Sequence, residues 1–134
     1  MKTVWVDANV LLRLLTDQPR ELARRAQRLM SRAAEGEILM VIPVVVLAEV
    51  IWVLRSPHYG YKPARIASEL QELVTGDGIS MEGGDDVLEA LALMTEHNVD
   101  FADAYLAAVA ARRREPVATL DADLRRLGVQ LFPV

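Results

Sequence analysis

The sequence predicts an α/β fold in which a mostly parallel sheet of four to five strands is covered by helices on both faces. Short β-rich runs alternate along the chain with longer segments of helical periodicity. The run at 38–42 is apolar throughout, as expected of a strand buried on both faces. A chain of 134 residues supports one complete core and is too short for two, so we expect a single domain over 1–134.

The first part of the chain predicts two strands and three helices. In order, these are a strand at 3–6, a helix from 9 to 15, a helix from 19 that ends at 36, a strand at 38–42, and a helix from 43 to about 54. Asn9 is suited to cap the first helix, and Pro19 and Pro43 suit the first turn of the other two. Trp5 and Trp52 are expected in the core.

The second part begins with a connection at 55–63 that contains three of the chain's prolines and glycines. The elements predicted after it are a helix from about 64 to 74, a strand at 79–81, helices from about 85 to 96 and from about 101 to 113, a strand at 117–120, a short helix after Asp121, and a last strand at 129–132. Gly76 and Gly78 break the first of these helices, and Pro116 precedes the fourth strand.

Composition limits the kinds of protein this chain can be. The absence of cysteine excludes a disulfide framework and thiolate metal sites. A net charge of −4 argues against a protein that coats nucleic acid by bulk electrostatics. No signal peptide is apparent, and the apolar stretch at 38–54 is short for a membrane span and contains Pro43 and Glu49. We therefore expect a cytoplasmic protein without a membrane partner.

Two acidic residues follow predicted strands directly. Asp7 stands at the end of the first strand and Asp121 at the end of the fourth. Ligands of open α/β sheets bind at the carboxyl ends of the strands, so this placement favours a shared site. The alternative is that each carboxylate only caps the helix after it.

Glu49 is the one ionisable residue between Ile38 and Leu54. A helix that is apolar all round is expected to be buried all round, and an unpaired carboxylate there would be costly. Glu49 is therefore expected to bind a metal, to be protonated, or to form a buried salt bridge with an arginine.

Asp103 completes a candidate set of four carboxylates. It lies in the first turn of a predicted helix, where an acidic residue is also favourable for structural reasons alone. Asp100 and Asp123 flank the set as supporting groups or as plain solvent-facing acids. Hard oxygen ligands without cysteine favour Mg²⁺, with Mn²⁺ as a substitute, and one or two such ions would suit hydrolysis of a phosphodiester.

Four short motifs in this order resemble the PIN domain and, within it, the VapC-like toxins. They are Val6-Asp7-Ala8-Asn9-Val10-Leu11-Leu12, Leu47-Ala48-Glu49-Val50, Asp100-Phe101-Ala102-Asp103-Ala104-Tyr105-Leu106-Ala107-Ala108 and Thr119-Leu120-Asp121-Ala122-Asp123-Leu124. The resemblance covers nearly the whole chain and implies a PIN-like three-layer α/β/α sandwich.

The same resemblance implies a function and a site. Asp7, Glu49, Asp103 and Asp121 correspond to a metal-binding catalytic quartet, and Asn9 and Thr119 correspond to polar supports. The implied activity is that of a Mg²⁺-dependent endoribonuclease, the toxin of a VapBC-like toxin–antitoxin module. Implied partners are RNA, a cognate antitoxin that blocks the active-site groove, and a second copy in a homodimer.

Further residues are weaker candidates for contact with RNA or antitoxin. Arg20, Arg24 and Arg28 recur every four residues along the second helix, a pattern that is also typical of a solvated face. Tyr59 and Tyr61 lie on the connection after the Glu49 helix and could stack on bases or simply pack that connection down.

Two other functions compete with the nuclease. One is a haloacid-dehalogenase-like phosphatase, whose first motif is also a strand ending in Asp-x-Asp, although Asn9 here lacks the required second acid. The other is a non-catalytic protein-binding module of the same fold, which would have no reason to bind a divalent ion.

Overall fold

The computed structural model describes all 134 residues. The chain forms five strands, six α-helices and, before the last strand, one 3-10 helix. In chain order they are β1 (Lys2–Trp5), α1 (Ala8–Thr16), α2 (Arg20–Ala34), β2 (Ile38–Ile42), α3 (Val44–Arg55), α4 (Pro63–Val74), β3 (Ile79–Met81), α5 (Gly84–His97), α6 (Phe101–Arg113), β4 (Val117–Ala118), the 3-10 helix Ala122–Leu127, and β5 (Leu131–Phe132). The predicted α/β alternation is confirmed, and β2, β3 and α6 have the predicted bounds.

The strands form two parallel sheets. β1, β2 and β3 pair in that order, with Val4 opposite Met40 and Met40 opposite Ile79. β4 and β5 pair separately, with Val117 opposite Leu131. The prediction of one sheet with four to five strands is therefore wrong in its count, because the hydrogen-bonded sheet has three strands and the remaining two form their own pair.

The shortness of β4 has a local cause. The hydroxyl of Thr119 accepts a hydrogen bond from the Asp121 amide at 3.0 Å, and the Asp121 carboxylate accepts one from the Asp123 amide at 2.9 Å. Two successive side-chain-to-backbone turns draw these amides away from a strand ladder. The strand predicted at 117–120 therefore ends at Ala118.

The core surrounds β2, whose side chains at Ile38, Met40, Val41 and Ile42 are buried. Because adjacent strand residues face opposite sides, burial of Val41 as well as Met40 and Ile42 means that both faces of the sheet are covered. α2 contacts β2, while α4 and α5 contact β3. α5 and α6 pack together and contribute the alanine-rich inner face of α6.

Two of the predicted details are wrong. Asp7 rather than Asn9 is the N-cap of α1, since the helix begins at Ala8 and Asn9 lies inside its first turn. Trp5 and Trp52 are not core residues: 64% of Trp5 and 75% of Trp52 are exposed. Large apolar side chains at the surface look like core in a sequence, because hydrophobicity alone does not say what covers a residue.

None of the helices combines the length and the apolar character that a membrane span requires.

Candidate active site

Asp7 lies where the chain leaves β1 and enters α1. One of its carboxylate oxygens, Oδ1, accepts a hydrogen bond from the Val10 amide at 3.2 Å and so caps the helix. The other oxygen has no partner within the chain, and the residue is exposed. Asn9, the predicted support, accepts a hydrogen bond from the Arg13 guanidinium at 3.3 Å instead of contacting Asp7.

Asp121 occupies a similar position at the start of the 3-10 helix. Its Oδ1 accepts from the Asp123 amide, and the predicted support Thr119 holds the Asp121 amide. Asp121 and Asp123 are both exposed. Asp7 and Asp121 therefore both act as helix caps, which was the alternative role expected for them. The second oxygen of each carboxylate remains free to bind another ligand.

Glu49 is exposed, so the expectation that it lies buried in an all-apolar helix is wrong. The buried face of α3 consists of Leu47, Val50, Ile51 and Leu54, whereas Glu49 shares the opposite face with Val45 and Trp52. Val45 is 72% exposed. The helix is apolar all round without being buried all round, and the argument from burial of a charge no longer applies to Glu49.

Asp103 lies in the first turn of α6, as predicted, and is half-buried. Asp100 precedes that helix as its N-cap residue but makes no side-chain capping bond. It accepts a hydrogen bond from Nη1 of Arg55 at 2.9 Å, which forms an ion pair between the end of α3 and the start of α6. Of the predicted supporting residues, Asp100 is thus the one that is neutralised by a cation of the chain.

The four candidate acids lie on elements that form a continuous series of contacts in space. α1 contacts α3, α3 contacts α6, and α6 contacts the 3-10 helix. Each of these elements contains one acid or is capped by one: Asp7, Glu49, Asp103 and Asp121. None of the four forms a salt bridge with lysine, arginine or histidine.

The carboxylates do not meet at one point in this structure. No group of three or more histidine, cysteine, aspartate or glutamate side chains is arranged to hold a metal ion. The donor set nevertheless fits a hard divalent cation by its chemistry, since it offers only oxygens and carries no competing counter-charge.

Comparison with known families decides what kind of domain this is. The sequence profile of the PIN domain family matches residues 4–130, which includes all four acids. The chain belongs to the PIN domain family. PIN domains are generally metal-dependent nucleases and usually bind divalent metals. A comparison with curated proteins found no significant match.

The arginines of α2 form an open basic surface on this PIN domain. Arg20, Arg24 and Arg28 are exposed and form no ion pairs. Arg32 differs, because it donates two hydrogen bonds to the Glu37 carboxylate. These bonds and the negative charge of Glu37 raise the pKa of Arg32 above its ordinary value. Three predicted arginines thus remain available to an anionic partner.

Tyr59 and Tyr61 are placed mainly by packing. Both are half-buried against the core, and their rings meet edge to face with centroids 6.2 Å apart. The guanidinium of Arg65 covers the Tyr61 ring at 3.7 Å from its centroid. Since that ring face is already occupied, the structure favours the packing role for Tyr61 over base stacking.

Two cavities, of which one is lined by Asp7, involve residues that the sequence did not single out. One, of about 450 Å³, lies between α1 and α2 and is lined by Asp7, Asn9, Arg13 and Arg25 above an apolar floor. The other, of about 620 Å³, lies between α3 and the start of α6 beside Trp52 and Arg55. Trp52 and Arg55 belong to no motif, and only their place on the Glu49 helix could have drawn attention to them.

Proposed function

We propose that this PIN domain is a metal-dependent endoribonuclease that uses Asp7, Glu49, Asp103 and Asp121. The observation that carries the proposal is the placement of these acids on four successive, touching parts of the fold without an ion pair at any of them. Asp7 and Asp121 also cap helices, whereas Glu49 neither pairs with a cation nor caps a helix.

The four residues would have different roles in such a site. The capping bonds of Asp7 and Asp121 fix one oxygen of each side chain, which orients the other oxygen for a ligand. Bound Mg²⁺, or Mn²⁺ in its place, would supply an activated water and would stabilise charge on the phosphodiester. One of the four carboxylates would accept a proton from the attacking water and so act as the general base.

The biological role that we propose is that of the toxin of a VapBC-like module. The cavity between α1 and α2 supports it, because Asp7 lies at a groove that also contains Arg13 and Arg25 and an apolar floor that includes Leu22 and Leu29. An antitoxin segment with apolar and acidic side chains would fill that groove and block Asp7. Growth arrest on expression that Asp7→Asn relieves would support this role, and normal growth with active enzyme would contradict it.

A homodimer is part of the same proposal. The first halves of α3 and α6 form an exposed groove lined only by apolar residues, among them Val45 and Leu106. An apolar surface of this kind favours burial against another protein surface. Sedimentation of the wild type and of Val45→Asp tests it, since the substitution should give monomers if this groove is the interface.

The nuclease proposal is tested by cleavage of single-stranded RNA with Mg²⁺, with Mn²⁺ and with EDTA. We expect cleavage only with the ions, and loss of cleavage in Asp103→Asn. Asp77→Asn is the control, because Asp77 is an exposed acid that precedes β3, whereas Asp7 follows β1 at the opposite end of the same parallel sheet. Cleavage retained by purified Asp103→Asn, or lost equally in Asp77→Asn, would contradict the proposal.

A non-catalytic binding module is the second candidate. The observation in its favour is that no three acidic side chains are gathered as a metal centre. Such a module would bind its protein partner without Mn²⁺ and would cleave no RNA. No feature of the structure favours the phosphatase. Release of phosphate from p-nitrophenyl phosphate would be evidence for that activity.

A further inference from the structure

The cavity at Asp7 continues along α2 into a second cavity. This second cavity has a volume of about 290 Å³ and is lined by Arg25, Arg28, Leu29 and Arg32. Arg25 and Leu29 also line the cavity at Asp7, so the two cavities adjoin. Together they form one groove that runs from Asp7 to Arg32, which we call the arginine groove.

Helical spacing places only some arginines of α2 in this groove. Arg25, Arg28 and Arg32 follow one another at intervals of three and four residues, so their side chains share one face of the helix. Arg20 and Arg24 line neither cavity. α2 therefore carries two kinds of exposed arginine, one inside the arginine groove and one outside it.

The arginine groove is locally basic although the whole chain has a net charge of −4. Its lining contains four arginines and a single acid, Asp7. Arg25 and Arg28 are exposed and form no ion pair, whereas Arg32 is paired with Glu37. The two unpaired guanidinium groups thus keep their full charge for an external anion.

Arg13 adds a cation on the other wall of the groove, next to Asp7. It donates hydrogen bonds to the backbone oxygen of Gln18 at 2.7 Å and to Oδ1 of Asn9 at 3.3 Å. Both acceptors are uncharged, so they hold the guanidinium in place without neutralising it. The positive charge of the groove therefore extends from the neighbourhood of Asp7 along α2.

This combination suits a single strand of nucleic acid. Guanidinium groups can donate two parallel hydrogen bonds to a phosphate, and an RNA strand carries a phosphate at every nucleotide. Leu22 and Leu29 provide apolar surface between the arginines, against which sugars and bases can lie. An RNA strand that is cleaved at Asp7 must also continue away from Asp7, and the arginine groove offers it a path.

We propose that the arginine groove binds phosphates of the single RNA strand that leaves the cleavage site at Asp7, with Arg25 and Arg28 as the main contacts. The inference rests on the proposed ribonuclease function and adds the path of the substrate. Phosphate contacts fix the register of a strand without reading its bases, so the groove should hold RNA of any sequence. The antitoxin segment proposed for the cavity at Asp7 would compete with RNA for the same groove.

Two double variants remove the same charge from different faces of α2. Arg25→Gln with Arg28→Gln changes the groove, and Arg20→Gln with Arg24→Gln is the matched control outside it. Binding of fluorescein-labelled oligouridylate and oligoadenylate is measured by anisotropy in EDTA at several salt concentrations, and melting temperatures check that each variant is folded.

We expect the groove variant to bind both RNAs about tenfold more weakly, because charge-assisted hydrogen bonds are lost. The slope of the logarithm of the binding constant against the logarithm of the salt concentration should become shallower by about 1.4, or about 0.7 for each lost phosphate contact. The control variant should stay close to the wild type in both quantities.

Other results would overturn the arginine groove as an RNA site. Equal losses in the two double variants would indicate attraction by bulk charge, and a wild type that binds no RNA would leave the groove without a substrate. Poly-glutamate serves as a protein-like polyanion: a groove variant that loses poly-glutamate binding but keeps its RNA affinity would assign the groove to an acidic protein partner instead.

Cleavage with Mg²⁺ is scored separately from binding. RNA binding that depends on the groove, without cleavage by the wild type, would support the groove and count against the nuclease. Cleavage that is lost in Asp103→Asn, together with equal RNA affinity in the two double variants, would support the nuclease and overturn the groove.

Discussion

Nη1 of Arg55 lies 2.9 Å from Oδ1 of Asp100, and this ion pair joins the last turn of α3 to the residue that precedes α6. α3 contains Glu49 and α6 contains Asp103, so the pair ties together the two helices on which these acids lie. The side chain of Asp100 is 77% exposed and that of Arg55 is 32% exposed. Solvent therefore screens the pair, which contributes little to the free energy of unfolding. We expect its main effect to be on the position of α6 relative to α3.

Arg55→Gln should reduce RNA cleavage several-fold while it lowers the free energy of unfolding by less than about 1 kcal/mol. The reason is that the start of α6 loses its tie to α3 while the core remains intact. A double-mutant cycle with Asp100→Asn, followed by urea unfolding, should give a coupling of about 0.2–1 kcal/mol. Arg65→Gln breaks the Arg65–Glu69 pair within α4 and should leave cleavage unchanged. Equal losses of cleavage in Arg65→Gln and Arg55→Gln would contradict the positioning role.

Asp7→Asn and Asp7→Ala should separate the structural role of this residue from its catalytic one. Asparagine caps a helix about as well as aspartate, whereas alanine loses the bond to the Val10 amide at a cost of about 1 kcal/mol. We therefore expect both variants to be inactive on RNA, but only Asp7→Ala to have a lower melting temperature. Full activity in Asp7→Asn would show that Asp7 acts only as a cap.

Gly78→Ala should destabilise the protein strongly. Gly78 has a φ of +76°, and a Cβ at this position would collide with the backbone carbonyl group of Ala33 at the end of α2. Left-handed strain costs about 1–2 kcal/mol, and overpacking adds about 1–3 kcal/mol. Gly36→Ala is the control, because Gly36 has a φ of +79° with no atom within 4 Å of such a Cβ, so only the strain applies. Urea unfolding that gave equal losses for the two variants would refute the close approach of Gly78 to Ala33.

Much of the fold could be predicted because the relevant signals are local. The strand Ile38–Ile42 is an uninterrupted apolar run, and α6 begins and ends where its composition indicates. The helix that begins after Pro43 shows what hydropathy cannot decide. Its apolar residues occupy every side. The packing of α1, α4 and α6 against it determines that Leu47 is buried while Val45 and Trp52 are exposed.

The candidate site was predictable in part. The placement of Asp7 and Asp121 after strands β1 and β4 could be predicted from the sequence, and so could their alternative role as caps. The Arg55–Asp100 pair joins residues 45 positions apart and has no local signal. The same is true of the cavity beside Trp52, which lies between α3 and the start of α6.

The central claim is that Asp7, Glu49, Asp103 and Asp121 act together on a divalent ion, and calorimetric titration of the purified protein with Mn²⁺ tests it most directly. We expect the wild type to bind Mn²⁺ with measurable heat and to melt at a higher temperature when Mn²⁺ is present, because an ion that binds only the folded state stabilises it. Asp7→Asn, Glu49→Gln, Asp103→Asn and Asp121→Asn should each weaken that binding, while Asp77→Asn should not. A wild-type protein that shows neither heat nor a higher melting temperature with Mn²⁺ would contradict the claim and would favour the non-catalytic binding module.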